Sequence, residues 1–194
     1  MEDNNKKETS SAKTLIIAII MVIIVLFYFN HLSNKSSEKR TEKAETELEL
    51  LSAYDMLGEY PKTPRDVVKL HCRYFKMFYG ESLSDDELVI LNEQVRYLYS
   101  SDLMMLNDEN TNLKALKKNI EKMKKEGYTY KSYELPEASQ IIYYTQDGVE
   151  MATLEVTVTV DMEDSMGYMY IQYVLVKEFD QWKIKAWGDS RIGE

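Results

Sequence analysis

The chain has 194 residues, of which 44% are hydrophobic and 29% are charged, a balance typical of one globular domain with accessory segments. Its formal net charge is −9, and the part from Ala44 onward holds 17 Lys and Arg residues against 28 Asp and Glu residues. An acidic domain repels phosphate backbones, so we expect no nucleic acid among its partners.

Cysteine and histidine are too few for a disulfide framework or a metal centre. Cys72 is the single cysteine, and neither His31 nor His71 has a second ligand at metal-binding spacing, so we expect no metal and no cofactor. Cys72 lies on an apolar helical stripe and is predicted to be a small core residue. The alternative is a nucleophilic pair with His71, but adjacent helical residues point about 100° apart.

A segment near the N-terminus predicts a membrane anchor. Residues 14–34 contain no Lys, Arg, Asp or Glu, and residues 15–29 are all apolar or aromatic. A helix over 14–32, rising about 1.5 Å per residue, spans roughly the ~30 Å hydrocarbon layer. The rival interpretation is a cleaved signal peptide, although no small-x-small cleavage site follows the segment.

The predicted organisation follows from that anchor. Residues 1–13 form a short cytoplasmic tail, 14–32 the transmembrane helix, 33–47 a juxtamembrane stalk and 48–194 the folded domain. Lysines flank the segment on both sides, so the positive-inside rule does not decide the orientation. The short tail favours a single-pass protein of the plasma membrane with its C-terminal domain extracytoplasmic.

The first part of the domain is predicted to be helical. A short amphipathic helix ends near Gly58, and capping signals at Thr63 and Ser84 begin two more. Another helix is predicted from Thr111 to Glu126. Its lysines are interpreted as a solvated face, with contact to anionic headgroups or a wall polymer as the alternative: Lys114, Lys117, Lys118, Lys122, Lys124 and Lys125.

After the helices, the hydrophobic period changes to two, which predicts strands. Asp147-Gly148 is a hairpin signal, and a turn is predicted at Asp180-Gln181. The expected fold class is α+β, with three or four helices packed on one face of a curved antiparallel sheet. In the last strand, simple alternation places Trp182 and Ile184 on the core face and Trp187 on the other face. The predicted strands cover 128–135, 139–146, 152–162, 168–178 and 182–187.

Three sequence blocks carry a resemblance to a known fold: YPKTPRDVVKL, LNEQVRYLYSSDLMMLN and the closing FDQWKIKAW. Helices followed by an antiparallel sheet that ends in an aspartate turn and WKI resemble the nuclear transport factor 2-like, cone-shaped fold. More narrowly, the blocks are similar to a family of membrane-anchored proteins of Gram-positive bacteria with no assigned function. The resemblance covers about residues 50–188, implies a plasma-membrane setting and supplies no catalytic residues.

Three residues are candidates for lining a cone cavity: Arg96, Tyr143 and Tyr173. The alternative for the tyrosines is plain core packing, and the alternative for Arg96 is an ion pair with Asp102. The acids near Ser84 are explained by helix capping, and the chain has neither a Gly-rich phosphate loop nor a GxSxG motif.

By exclusion, we expect no catalytic residue and a membrane-tethered, non-catalytic binding or scaffolding module presented at the cell surface. Its expected partners are the membrane and either an envelope component or a membrane protein. The alternative is a small-molecule enzyme that uses the cone cavity.

Overall fold

A computed structural model describes residues 46–162 and 165–190. These residues form an α+β domain with five α-helices, a 3-10 turn at Ala138–Gln140 and a five-stranded antiparallel sheet. The helices are α1 (Glu47–Ser52), α2 (Pro64–Gly80), α3 (Asp85–Arg96), α4 (Ser101–Leu106) and α5 (Glu109–Lys125). The strands are β1 (Thr129–Glu134), β2 (Ile142–Gln146), β3 (Val149–Met162), β4 (Ser165–Glu178) and β5 (Gln181–Asp189).

Each α-helix begins at a side-chain cap, an oxygen that accepts a hydrogen bond from the backbone N–H three residues later. The capping residues are Thr46, Thr63, Ser84, Ser100 and Asp108. The Thr63 and Ser84 caps agree with the sequence prediction. The structure has one helix more than the three or four predicted, because Ser100 caps the short α4 four residues after α3 ends. Thr46 lies inside the predicted stalk, and the helix that it caps buries Leu51 completely.

The sheet is built around its two long strands, β3 and β4. The strand order is β1-β3-β4-β5, and β2 pairs with the first part of β3, whereas β1 pairs with its last part. Alternate residues of β3 face the helices and are buried, as the two-fold hydrophobic period predicts. These residues are Ala152, Leu154, Val156, Val158 and Val160.

The predicted transmembrane helix is corrected by the structure. Residues 14–32 lie outside the described residues, and none of the helices in 46–162 and 165–190 is long and apolar enough to cross a membrane. The longest, α2 and α5, have 17 residues each and carry charged faces, whereas a spanning helix needs about 20 apolar residues. The described residues therefore form an α+β fold, and none of their helices could span a membrane. The single-pass anchor and the plasma-membrane location are not supported by the described residues, whereas the membrane as a partner stays a prediction.

The two faces of β5 differ from the predicted ones because the strand contains a β-bulge. Leu175 pairs with Ile184, but the preceding residue of β4 pairs with Ala186, so Lys185 is an extra residue in β5. One extra residue reverses which face the following side chains occupy. Trp187 consequently lies on the same side as Ile184, facing the helices. The prediction that Trp187 faces away from the core is wrong.

The outer edge of β5 is covered by the segment between α3 and α4. The Ile184 N–H donates to the Leu98 carbonyl at 2.7 Å, and the Ser100 N–H donates to the Ile184 carbonyl at 2.9 Å. These bonds satisfy backbone groups that an open sheet edge would leave exposed. They also hold Tyr99 next to Trp187, with 5.3 Å between the two ring centroids.

We predict that Trp187→Ala destabilises the domain by about 3 kcal/mol, and by more than Trp182→Ala. The Trp187 ring packs against three core rings, whereas Trp182 packs against Tyr143, which is 55% exposed. Urea unfolding of the two variants measures the difference. A larger loss at Trp182 would contradict the bulged register of β5.

Candidate ligand-binding cavity

A cavity of about 330 Å³ lies between helices α2 to α5 and the end of β5. Its volume is at the lower end of the range for small-molecule sites, about 300–1,000 Å³. Ala115 and Ala186 line it and are themselves exposed, so the cavity opens to solvent. Its other lining residues are aromatic side chains, asparagines and two leucines.

The aromatic side chains form one continuous wall of the cavity. It consists of Phe75, Phe78, Tyr79, Tyr99 and Trp187. The planes of Phe75 and Tyr79 meet at 75°, and those of Phe75 and Trp187 at 77°. Such edge-to-face contacts stabilise aromatic pairs beyond their buried area. The wall is therefore steeply angled around Phe75, whereas Tyr99 and Trp187 are inclined by only 31° to each other.

The polar part of the cavity is made by asparagines from three separate segments: Asn92, Asn107, Asn112 and Asn119. Asn92 is the most enclosed of them, with 2% of its surface exposed. Within residues 46–162 and 165–190, its side-chain amide makes no hydrogen bond to protein. An amide carries two donors and an acceptor with two lone pairs, so Asn92 brings unused hydrogen-bonding capacity to the cavity.

The tyrosine hydroxyls in the wall are held neutral. Burial raises the pKa of Tyr79 to about 12, opposed by a hydrogen bond with the Asn119 side chain. Burial also raises the pKa of Tyr99, which is only 3% exposed. Every side chain that lines the cavity is consequently uncharged at neutral pH. The site offers apolar contact and neutral hydrogen bonds, but no charge.

A buried polar cluster lies behind the aromatic wall. The Tyr173 hydroxyl is 3.0 Å from His71 Nδ1 and 3.8 Å from Cys72 Sγ. The His71 ring packs in turn against Phe75, at 4.1 Å, and against Trp187, at 4.9 Å between centroids. His71 and Cys72 thus both meet one tyrosine hydroxyl. This hydrogen-bonded cluster supports the wall from inside the core.

The chemistry of this cluster is that of neutral groups. Burial lowers the pKa of His71 to about 3 and raises that of the Cys72 thiol to about 12. Burial also raises the pKa of Tyr173. The reactive form of cysteine is the thiolate, and a base that accepts a proton near neutral pH is needed to generate it. With these pKa values, Cys72 stays a thiol and His71 is not such a base. No set of three or more potential metal ligands occurs in residues 46–162 and 165–190.

The three sequence-predicted candidates do not meet in one cavity. Tyr173 is buried in the cluster just described. Tyr143 is 55% exposed on β2, where its ring packs edge-on against Trp182 at 5.8 Å. Arg96 Nη1 donates to the Asn107 carbonyl at 2.8 Å, and the expected partner of Arg96, Asp102, pairs instead with Lys185 at 3.5 Å.

A second, wider depression of about 610 Å³ contains Arg96. It is less suited to a small ligand, because three of its charged groups, Arg96, Glu178 and Lys183, already bind protein atoms. Lys183 donates to the Tyr97 carbonyl at 2.8 Å, and the Glu178 carboxylate accepts from the Ser101 backbone and hydroxyl. Phe179, on its border, is 96% exposed. The aromatic and asparagine cavity is therefore the stronger candidate.

Sequence reasoning missed the asparagines, although one signal was present. Asn92 occupies a position of α3 that the apolar spacing assigns to the buried face, four residues after Leu88 and three before Val95. A single amide on such a stripe marks a buried polar group. Asn112 and Asn119 are seven residues apart on α5, which places them on one helix face.

We predict that His71 makes the stability of the fold depend on pH. The folded state keeps the ring neutral, whereas the unfolded chain binds a proton below pH 6.5, the ordinary pKa of His. Acid therefore favours the unfolded state, and stability falls as the pH drops from 6.5 toward 3, the folded-state value.

Between about pH 7.5 and about pH 5.5, the loss attributable to His71 is about 1.4 kcal/mol. Urea unfolding of the wild type and of His71→Phe at both pH values isolates this contribution, because His31 is present in both chains. An equal loss of stability in the two proteins would contradict a neutral, buried His71.

We predict that Asn92→Leu stabilises the domain. Leucine has the same branched skeleton of four side-chain heavy atoms and replaces, in an enclosed apolar setting, an amide that makes no hydrogen bond to the described residues, which is worth about 1 kcal/mol. The expected rise in melting temperature is about 2–4 °C. Asn110→Leu, on the exposed surface of α5, is the matched control and should change the melting temperature little. Destabilisation at Asn92 would show that its amide is already satisfied.

Comparison with known proteins gives one family. A search among curated proteins found none with significant sequence similarity. The model of a family described as a domain of unknown function (DUF6715) matches residues 1–187, a span that includes the whole cavity. This protein belongs to that family.

Proposed function

We propose that the domain is a non-catalytic binding module that holds a small, uncharged ligand in the cavity beside Trp187. The observation that carries this proposal is the combination of an aromatic wall with the almost fully buried amide of Asn92. Apolar surface with a few enclosed polar groups is the usual composition of a small-molecule site. The ligand contacts then come from the wall, and the orientation of the ligand comes from the amides.

Binding fits the cavity better than catalysis does. General acid–base catalysis needs a group that exchanges a proton near neutral pH, and covalent catalysis needs an activated nucleophile. The ionisable groups that line the cavity are Tyr79 and Tyr99, and burial raises the pKa of both. The proposed module therefore binds its ligand without transforming it. The enzyme interpretation has no residue in this cavity to carry the reaction.

The absence of charge also defines what the module rejects. A charged ligand entering a site without a partner of opposite charge loses hydration and gains little in return. Nucleotides, carboxylates and amines are therefore poor ligands for this cavity. In the proposed module, the ligand is recognised inside the cavity rather than on the outer sheet face.

The test of this proposal is to block the cavity from its rim. We predict that Ala115→Tyr abolishes the binding of uncharged fragments, because the new side chain enters the mouth from α5. Lys114→Tyr is the matched control: Lys114 is also exposed, precedes Ala115 and points about 100° away from it around the helix. Ligand-observed NMR with a library of charged and uncharged fragments measures binding to the full chain and to both variants.

The expected result is selective binding of uncharged fragments by the wild type and by Lys114→Tyr, and none by Ala115→Tyr. Melting temperatures of the three proteins check that both variants fold. Binding that survives in Ala115→Tyr would place the ligand elsewhere. Turnover of any fragment by the wild type would contradict the non-catalytic role.

A further inference from the structure

We infer that the ligand of the cavity is a neutral saccharide, held through one pyranose ring. This inference rests on the proposed function and names the chemical class of the ligand. Three properties of the cavity point to it: the angles between the aromatic rings, the amide and hydroxyl groups that face the ligand, and the absence of charge.

The first property is the shape of the aromatic wall. Tyr99 is inclined to Trp187 by only 31°, but Phe75 meets Tyr79 at 75° and Trp187 at 77°, so Phe75 forms a corner with each of these two rings. A flat molecule that stacks on one of these rings meets the next ring edge-on. A pyranose is puckered and has C–H groups on its faces and its rim, so it contacts two inclined rings together. Aromatic side chains provide this contact area with little conformational freedom to lose.

The second property is the type of polar group. A sugar hydroxyl is both a donor and an acceptor, and a side-chain amide is both as well. Asn92 presents its unbonded amide from α3. The Tyr99 hydroxyl lies on a residue that is 3% exposed and makes no hydrogen bond to the described residues. Asn112 and Asn119 add amides from α5. These groups match adjacent hydroxyls at several points around one ring.

The third property separates neutral sugars from other polar ligands. No Lys or Arg lines the cavity to bind a phosphate or an acidic sugar, and no Asp or Glu lines it to bind an amine. A ligand with hydroxyls forms hydrogen bonds with the enclosed polar groups. A ligand without hydroxyls leaves these groups without hydrogen bonds and therefore binds more weakly. The cavity is consequently expected to favour hydroxyl-rich, uncharged rings over apolar or charged ones.

The experiment compares neutral sugars with flat neutral molecules. Methyl glycosides of glucose, galactose and N-acetylglucosamine are titrated into the full chain and followed by NMR and by tryptophan fluorescence. Indole and adenine are the flat probes, and glucose 6-phosphate is the charged one. Trp182→Phe leaves Trp187 as the only tryptophan of the chain, so a fluorescence change then reports on the cavity. At least one methyl glycoside should bind with a Kd of about 1 mM, as expected for a ligand of this size.

Two variants decide whether that binding uses the cavity. Asn92→Leu should weaken glycoside binding by about tenfold or more, because it removes the enclosed amide. Ala115→Tyr should abolish it, because this variant fills the mouth of the cavity and does not depend on how Asn92→Leu changes stability. Asn110→Leu makes the same chemical change on an exposed residue outside the cavity and should bind like the wild type.

The outcomes distinguish the saccharide class from the binding module on which it rests. Glycoside binding that is lost in both cavity variants supports the inference. Binding of indole or adenine at this cavity without any glycoside overturns the saccharide class and leaves the binding module intact. Glycoside binding that survives in Asn92→Leu and Ala115→Tyr overturns the inference. Failure of every probe, and of the uncharged fragment library, to bind the wild type overturns both.

Discussion

The β-bulge in the last strand decides whether the cavity between the helices and the sheet has its aromatic wall. Without the extra residue at Lys185, Trp187 would lie on the outer face of the sheet, and the cavity would lose its largest aromatic side chain. Bulges are frequent beside functional sites because they re-aim a side chain without unfolding the strand. Here the extra residue also directs Lys185 toward Asp102, at 3.5 Å, which links β5 to α4 on the rim of the domain.

The reoriented tryptophan is held by a polar contact inside the core. His71 lies between Trp187 and Phe75, and its Nδ1 is fixed by the Tyr173 hydroxyl at 3.0 Å. A hydrogen bond of this kind sets the angle of the imidazole ring, and the ring in turn sets the angle of the wall. This accounts for a histidine on an otherwise apolar helical stripe. Its role is to position the wall, and the same burial that makes it neutral makes it unsuited to proton transfer.

The sequence was a good guide to local structure and a poor guide to the site. The caps at Thr63 and Ser84 and the alternation along β3 depend on neighbouring residues, so pattern reasoning could find them. The Asp147-Gly148 hairpin is equally local, and both residues have positive φ. The next turn lies at Phe179-Asp180, one residue earlier than predicted, because two residues without the usual glycine adopt that conformation.

The site depends instead on contacts between distant segments. Phe75, Asn92 and Trp187 come from two helices and the last strand, and no local pattern specifies that they meet. The alternation of apolar and polar residues does not reveal the bulge, because the residues around Lys185 have the pattern of a regular strand. Arg96, Tyr143 and Tyr173 were chosen by residue type, and type alone does not tell a buried tyrosine from an exposed one. The resemblance to the cone-shaped fold stays a prediction.

Stability and recognition respond differently to pH in such a domain, because different groups control them. The groups facing the cavity are amides, hydroxyls and hydrocarbon, and none of them changes charge between about pH 5 and about pH 8. The group that titrates on unfolding, His71, is fully buried behind the wall. Mild acid therefore lowers the fraction of folded molecules without altering the chemistry of the site. For the proposed binding module, affinity per folded molecule is therefore expected to stay constant while stability declines, whereas a catalytic site with a working acid or base would lose its activity through the site itself.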